Sequence, residues 1–349
     1  MRQFAVLLTV AVAPMLVGAA SADSPASGSS VFRVVVEDSV GADGLGTFTV
    51  LTGPGHPAGD GHPVLFTGAG NDDAGSSYLT VRSYTTGTDY VQTTSGVASA
   101  HLVSSLDPYG VVEPIGGVGY RTTYTLPGSG NAPDALSIVS EIEVAGTTPA
   151  DSAVLLHVTV ANHGSAPVSI GVRYLLDFAN GGDDGPAWRE AGVQPQIVEG
   201  ASGVEPGIIT LAPTSSSAAP VSIAVAQSNP GSAIFASWSH AFPFAFDYTP
   251  LGRDIAGPCG LNDSAVLTYA SPNKASAIIL APGDASSVSV ALTIGSATSF
   301  EVDDESSCVT PVAIPSPPPA SGQPTPVPQP IELPRTGSRL QAPLTAGRR

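Results

Sequence analysis

The chain has 349 residues, of which only 12% are charged, and it carries a formal net charge of −17. Twelve basic residues are too few to form a surface that neutralises phosphates, which argues against nucleic acid as a partner. The 39 glycines and 33 prolines suit strands joined by many tight turns, and they predict very little helix.

The first 22 residues have the pattern of a secretory signal peptide. Arg2 supplies a positive start, residues 4–20 are apolar, and Ala20-Ser21-Ala22 provides the small residues that signal peptidase accepts. The apolar run is short for a membrane span. We therefore expect signal peptidase to cleave after Ala22 and the mature protein to be extracellular, beginning with a polar linker over residues 23–30.

The middle of the chain has the pattern of β-strands. From residue 31 to about residue 297, apolar residues alternate with polar ones or form short blocks bounded by Gly, Pro, Asn and Asp. This predicts fifteen strands, near residues 31–37, 47–51, 64–67, 78–84, 98–103, 120–126, 136–144, 154–162, 168–177, 207–211, 221–226, 233–238, 265–269, 277–280 and 288–294. So many strands require two stacked sheets, and we predict one all-β domain over residues 31–310, a large antiparallel two-sheet sandwich.

Residues 154–177 give the clearest hairpin pattern. Every second residue from Val154 is apolar, Asn162-His163-Gly164 is a turn sequence, and a matching apolar face returns from Ile170. We expect the two strands to pair and to share a core. A second turn, Ala281-Pro282-Gly283-Asp284, is expected to lead into a long final strand that closes a sheet.

The densest cluster of polar residues is the loop from Asp177 to Glu190. Asp177 follows Arg173 by four positions on a predicted strand, so both face one side of a sheet and an ion pair is expected. The oxygen-bearing side chains of this loop also suit a ligand or a calcium ion, although the spacing is not that of an EF-hand. The predicted ligand or calcium loop consists of Asp177, Asn180, Asp183 and Asp184.

Two tryptophans offer flat apolar faces for a glycan. Trp188 lies in the polar loop and Trp238 is the last residue of a predicted strand, each near carboxylates that accept hydrogen bonds from sugar hydroxyls. Core packing is the commoner use of such aromatic residues, so both interpretations stay open. Two cysteines, Cys259 and Cys308, lie beyond the export signal and form a candidate disulfide in an oxidising compartment.

The end of the chain has the pattern of a wall-attached stalk. Residues 311–332 are rich in proline, which favours an extended rod. The pentapeptide Leu333-Pro334-Arg335-Thr336-Gly337 and a final pair of arginines follow. This arrangement resembles the sorting signal of Gram-positive surface proteins, in which sortase cuts between Thr and Gly and joins the Thr to peptidoglycan.

The tail after the pentapeptide departs from that family. Residues 338–347 are mostly polar or small, whereas the family places a membrane-spanning segment of about 20 residues there. The resemblance therefore implies sortase and peptidoglycan as partners if the signal works, with cleavage after Thr336. The alternative is a protein that is secreted and released.

The folded region resembles large bacterial extracellular β-sandwiches akin to the galactose-mutarotase supersandwich. Three blocks carry this resemblance: GVRYLLDFANGGDDGPAWRE at 171–190, GHPVLFTG at 61–68 and NDSAVLTY at 262–269. Mutarotase-like folds work with a histidine and a carboxylate. The resemblance therefore implies His157, His240, Asp177 and Glu190 as catalytic candidates under an alternative function, a carbohydrate-active enzyme.

Catalytic motifs are otherwise missing from the sequence. No H-E-x-x-H zinc pattern, G-x-S-x-G elbow or phosphate-binding glycine loop occurs. His157 alternates with apolar residues on a predicted strand, where a structural imidazole is the more common role. The main expectation is thus a non-enzymatic surface protein for display, wall structure or adhesion, with a glycan or a host surface ligand as its partner.

Overall fold

The structure is a computed structural model that describes residues 26–40, 44–67, 74–92, 102–190, 200–201, 208–212, 221–227, 231–241 and 263–295. All of these residues belong to the first of two compact units of the chain, Met1–Val309. The predicted signal peptide, both cysteines, the proline-rich stalk and the sorting pentapeptide lie outside the described residues.

The described residues form nineteen strands and one helix of four residues. The strands are β1 Ser27–Gly28, β2 Phe32–Val36, β3 Phe48–Thr52, β4 Tyr78–Ser83, β5 Thr88–Val91, β6 Leu102–Ser105, β7 Gly110–Ile115, β8 Gly119–Thr125, β9 Leu136–Ala145, β10 Ala153–Asn162, β11 Val168–Phe178, β12 Ala187–Glu190, β13 Gly200–Ala201, β14 Ile208–Ala212, β15 Ile223–Gln227, β16 Gly231–Ser237, β17 Ser264–Ala270, β18 Ile278–Leu280 and β19 Ala285–Ile294. The helix, α1, is Trp238–Ala241. None of the described helical segments is long and apolar enough to cross a membrane.

Two large sheets stack to form a sandwich, which confirms the predicted fold class. Sheet 1 has the strand order β12-β14-β15-β19-β10-β9-β8-β7, and all of its neighbours are antiparallel. Sheet 2 has the order β13-β16-β17-β11-β4-β5-β6, with β18 also paired to β11. In sheet 2 only β5 and β6 run parallel.

A third, small sheet consists of β1, β2 and β3 and adds its apolar side chains to the same core. Strand β1 lies within the predicted linker 23–30, so that part of the linker prediction is wrong. Ser27 and Gly28 pair with Val34 and Arg33, which makes them part of the folded body.

The two large sheets differ in whether one or both of their faces are buried. Strands β9 and β10 of sheet 1 alternate buried and partly exposed residues, so one of their faces meets the core and the other meets solvent. Strand β17 of sheet 2 is buried at all seven positions, and β11 is buried from Ile170 to Phe178. Sheet 2 is therefore covered on both faces along its centre.

The predicted hairpin of residues 154–177 is wrong in its pairing and right in its shared core. Strand β10 pairs with β9 and β19 in sheet 1, whereas β11 pairs with β4 and β17 in sheet 2. The side chains of Val158 and Tyr174 nevertheless belong to one buried cluster between the sheets. The turn after Asn162 carries the chain across the sandwich instead of folding it back along the same sheet.

The predicted turn at residues 281–284 is present, but it also crosses between the sheets. The Asp284 N–H donates to the Ala281 carbonyl at 2.9 Å, and Gly283 has φ +85°, which L side chains rarely adopt. Strand β18 before it lies in sheet 2 and β19 after it lies in sheet 1. Strand β19 is central, between β10 and β15, so the expectation that it closes a sheet is wrong.

Several predicted strands differ from the strands that the structure shows. Residues 64–67 form only an isolated bridge, between Leu65 and Phe178, in place of a strand. The prediction at 98–103 corresponds to β6, which begins at Leu102, and residues 98–101 lie outside the described residues. Four strands were not predicted in the body of the domain, namely β5, β7, β12 and β13.

Candidate functional site

The face of sheet 2 that points away from the shared core is polar at several buried positions. Because side chains alternate along a strand, Val172, Tyr174 and Leu176 of β11 face the core between the sheets. Leu175 belongs to a second apolar cluster on the other side. Arg173 and Asp177 share that second face with Leu175, and only 0% and 3% of their surfaces are exposed.

Arg173 lies in a row of hydrogen-bonding side chains across the middle of this face. It stands opposite Thr80 of β4 and Tyr269 of β17. Its Nη2 donates to Thr80 Oγ1 at 3.0 Å. In the next row Arg82 and the fully buried Asp89 form an ion pair at 3.0 Å.

The structure gives Arg173 and Asp177 separate partners, so the expected ion pair between them is not among the ion pairs of the described residues. Four residues along a strand span about 13 Å, which is too far for the two side chains to meet without bending toward each other. Asp177 instead accepts a hydrogen bond from the Ser76 hydroxyl.

A second polar group lies at the end of sheet 2 where β11 ends and β17 begins. Asp177 and Phe178 pair with Ala265 and Ser264, which brings Asp263 beside the end of β11. We define the acidic site as Asp177, Asn180, Asp184 and Asp263. Three of these four belong to the predicted polar loop.

Asp177 is held firmly by its neighbours. Its backbone N–H donates to Ser77 Oγ at 3.0 Å, and its carbonyl accepts from the Phe66 N–H at 2.8 Å. Its Oδ1 is buried without a hydrogen-bond partner. Burial, with the charges of Asp263 and Asp184 nearby, raises the pKa of this carboxyl well above its usual range.

The pKa values of the other two carboxyl groups of the site, Asp263 and Asp184, are also raised. Burial, with the charge of Asp184 beside it, raises the pKa of Asp263 to about 6. Burial and then the charge of Asp183 raise the pKa of Asp184. Asp184 thus contributes to the raised pKa of both Asp177 and Asp263.

Asn180 lies in a short 3-10 turn between Asp177 and Asp184. Gly181 has φ +70° there, and its N–H donates to the Pro63 carbonyl at 2.7 Å. Asn180 has 0% of its surface exposed, and neither its Oδ1 nor its Nδ2 has a hydrogen-bond partner in the part of the chain that the structure describes. A buried amide without partners is uncommon in folded proteins.

The three sequence blocks that carry the supersandwich resemblance meet at this end of the sheet. The Ala179 N–H donates to the Val64 carbonyl at 3.1 Å, which joins the block at 61–68 to the block at 171–190. Strand β17 of the third block pairs directly with β11. No local sequence pattern pointed to Asp263, which lies 79 positions beyond Asp184 and joins the site only through strand pairing.

Trp238 lies at the same end of sheet 2. Its backbone N–H donates to the Asp263 carbonyl at 3.0 Å, and its partly buried side chain packs against the second apolar cluster. One of the two predicted glycan-stacking residues is thus beside the acidic site. Trp188 is part of β12 at the edge of sheet 1.

The alternative catalytic residues lie on separate elements. His157 is on the solvent face of sheet 1, where its Nδ1 is 2.7 Å from Ser289 Oγ and its Nε2 is 3.3 Å from Thr159 Oγ1. Asp177 is on the far side of the sandwich, so the structure does not bring these two together. His240 is in α1 and Glu190 is in β12.

The predicted calcium site stays a prediction. Within the described ranges, no three His, Cys, Asp or Glu side chains form a group that could hold a metal ion. A calcium site here would need Asn180 and backbone carbonyls to complete it. The predicted disulfide of Cys259 and Cys308 and the sorting residues 333–337 lie outside the described residues.

These observations define the class of the protein, an all-β sandwich with a buried polar site on one sheet. No protein-family model matches the chain, and no curated protein matches its sequence. Solved structures match it in fold. A putative aldose 1-epimerase from Escherichia coli is 11% identical with a TM-score of 0.47, and the match covers 78% of this chain and 98% of that one.

Two further solved structures give similar values. A homologue of aldose epimerase from C. elegans is 10% identical with a TM-score of 0.48, covering 81% of this chain and 100% of that one. A galactose mutarotase related enzyme from Lactobacillus acidophilus is 9% identical with a TM-score of 0.45, covering 80% and 100%. Such distant likenesses do not indicate what this chain binds or whether it is an enzyme.

Proposed function

We propose that this chain is an exported protein whose folded domain binds a carbohydrate at the acidic site. The observation that supports this most strongly is the set of buried polar atoms without partners, namely Asp177 Oδ1, Asp184 Oδ1 and both amide atoms of Asn180. Sugar hydroxyls both donate and accept hydrogen bonds, so one sugar can satisfy carboxylate and amide atoms together.

The position of Trp238 also supports a sugar ligand. Sugar sites commonly combine an aromatic face with a few polar groups, because the C–H face of a sugar ring is apolar and its rim is polar. Trp238 is hydrogen-bonded through its backbone to Asp263, and its partly buried side chain packs against the second apolar cluster on the same face of sheet 2.

Binding to a panel of hexoses by calorimetry tests this proposal. We expect Asp184→Asn to weaken binding by about tenfold, as expected for a hydrogen bond to a charged group. Glu113→Gln is the matched control, because Glu113 is an exposed carboxylate on the edge strand β7 of the other sheet. A folded protein that binds no sugar would contradict the proposal.

A second candidate function is mutarotase-like catalysis at the same site. Interconverting the two anomers of a sugar requires a proton donor and a proton acceptor, and a group with a pKa near the working pH serves best. Asp263, with its pKa of about 6, and the more strongly perturbed Asp177 offer such a pair. Polarimetry of a freshly dissolved anomer tests it: Asp263→Asn should slow the rotation change while sugar binding persists.

The location of the protein is a further part of the proposal. Residues 1–22 have the pattern of a signal peptide, and residues 333–337 have that of a sorting signal. A sugar-binding domain on a proline-rich stalk suits display or adhesion at the cell wall. Release into the medium is the alternative outcome.

A further inference from the structure

The loop over residues 53–62, which we call the His56 loop, connects the end of β3 to Pro63. At its base the Gly61 N–H donates to the Thr52 carbonyl at 2.9 Å. Its first residue is bonded to the segment before β2, because the Gly53 N–H donates to the Val31 carbonyl at 2.7 Å. These backbone bonds hold the two ends of the loop and leave its middle to His56.

His56 organises the middle of the loop with both its backbone and its ring. Its carbonyl accepts from the Gly59 N–H at 2.9 Å, and its Nδ1 accepts from the Ala58 N–H at 3.1 Å. The ring centre lies 5.4 Å from that of Phe32 in β2, and 5% of the residue is exposed. The imidazole therefore bonds within the loop and packs against the body of the domain.

The hydrogen bond at Nδ1 decides what a second proton does to this ring. Because Nδ1 accepts, the neutral imidazole carries its hydrogen on Nε2, which is buried without a partner in the described part of the chain. A second proton must enter at Nδ1, where it faces the Ala58 N–H, and two donors cannot bond to each other. The charged ring would then be buried with neither nitrogen bonded, which is unfavourable.

The groups around the loop do not compensate for that charge. Arg33 of β2 and Asp60 of the loop form an ion pair with each other at 3.0 Å. His62, the other titratable group of the loop, is close enough that its charge acts together with burial to lower the pKa of His56 to about 4. The carboxyl groups of the acidic site lie beyond Pro63. The His56 ring takes part in none of the ion pairs of the described residues.

We propose that the His56 loop is an acid-sensitive latch, which opens when His56 is protonated while the sandwich stays folded. Opening reaches the turn that carries Asn180, because the next two residues of the chain are bonded to it. The Pro63 carbonyl accepts from the Gly181 N–H at 2.7 Å, and the Val64 carbonyl accepts from the Ala179 N–H at 3.1 Å. The proposal does not depend on sugar binding.

Amide hydrogen exchange of the full chain, followed by NMR, tests the latch. Protection factors, which correct for the pH dependence of the intrinsic exchange rate, are measured for the Ala58 and Gly59 amides at pH 6 and pH 4.5. We expect both to fall at least about tenfold, since protonation favours the open loop between the ordinary pKa of 6.5 and the lowered one. The resonances of β10 should keep their native positions at both pH values.

Two substitutions show whether His56 is the group that titrates. The side-chain oxygen of an asparagine accepts from the N–H two residues later and does not titrate in this range, so His56→Asn keeps the Ala58 bond without the proton. Its protection factors should change by less than about twofold between the two pH values. His62→Gln is the matched control and should retain the fall. Asp60 and the acidic site are intact in both variants.

Every other outcome overturns the latch. Equal protection of the native loop at both pH values, or a fall that persists in His56→Asn, shows that His56 does not control the loop. Loss of the native β10 resonances at pH 4.5 shows that the whole sandwich responds to acid. If His56→Asn does not fold, the nitrogen chemical shifts of the native His56 ring decide, because a neutral ring with its hydrogen on Nδ1 contradicts the geometry on which the proposal rests.

Discussion

Burial lowers the pKa of one residue, His56, and raises the pKa of another, Asp263. His56 has 5% of its surface exposed, packs its ring 5.4 Å from that of Phe32, and accepts a hydrogen bond from the Ala58 N–H at Nδ1. Burial, with His62 nearby, lowers the pKa of His56 to about 4. Asp263 of the acidic site is shifted upward, to about 6.

The His56 shift predicts a loss of stability in acid. Its folded pKa lies below the unfolded value of about 6.5, so its contribution is fully present above that pH and is lost as the pH falls toward 4. We expect the free energy of unfolding to fall by about 1–3 kcal/mol more in the native protein than in His56→Asn across this range. Urea unfolding at several pH values measures this, and parallel profiles would contradict it.

Asp263 predicts the reverse dependence. Its folded pKa lies above the unfolded value of 3.8, so its stabilising contribution is present below that value and is lost as the pH rises through about 6. Asp263→Asn should therefore be more stable than the native protein at pH 7, on the order of 1 kcal/mol, and equal to it near pH 4. Thermal melts at both pH values check this; a variant less stable at pH 7 would rule it out.

At the scale of the elements, the sequence predicted which residues of a strand are buried, but it did not predict which strands pair with each other. Alternation marked the buried residues of β10 and β11 correctly, since both strands contribute to one core. The same alternation arises whether two strands pair in one sheet or face each other across a sandwich. The hairpin prediction failed for that reason.

The candidate site was predictable in part for a similar reason. Asp177, Asn180 and Asp184 form a local polar cluster that stands out among apolar strands. Asp263 joins them only because β17 pairs with β11, a contact between segments far apart in the chain. Neighbours of this kind follow from the topology of the sheet and leave no local pattern.

Asn162 forms hydrogen bonds with both of the turns that cross between the sheets. Its Nδ2 donates to the carbonyls of Ala166 at 2.8 Å and Leu280 at 3.0 Å, and its Oδ1 accepts from the Gly164 N–H. Its backbone also bonds to Gly283 and Asp284 of the other turn. This residue therefore connects both crossovers.

Replacing this side chain should be costly. Asn162→Ala leaves buried backbone groups without partners, and we expect the free energy of unfolding to fall by about 2–4 kcal/mol. The neighbouring His163→Ala, which removes one exposed contact to Ser137, should change it by less than about 0.5 kcal/mol. Equal effects in urea unfolding would show that Asn162 has no special role at the crossovers.

At the scale of the whole molecule, the proposed wall attachment depends on Thr336. If sortase joins this residue to peptidoglycan, muramidase should release the protein from intact cells and salt should not. Thr336→Ala should shift the protein to the culture medium. Recovery of the native protein from the medium alone would contradict attachment and leave secretion as the outcome.

The central claim is that the acidic site of sheet 2 binds a sugar. A crystal structure of the protein grown with a hexose from the binding panel tests it most directly, because it locates the ligand as well as detecting it. We predict a sugar in contact with Asp184 and Trp238 at the end of β11. A fully empty acidic site, or a sugar bound only on the solvent face of sheet 1 around His157, would contradict the claim.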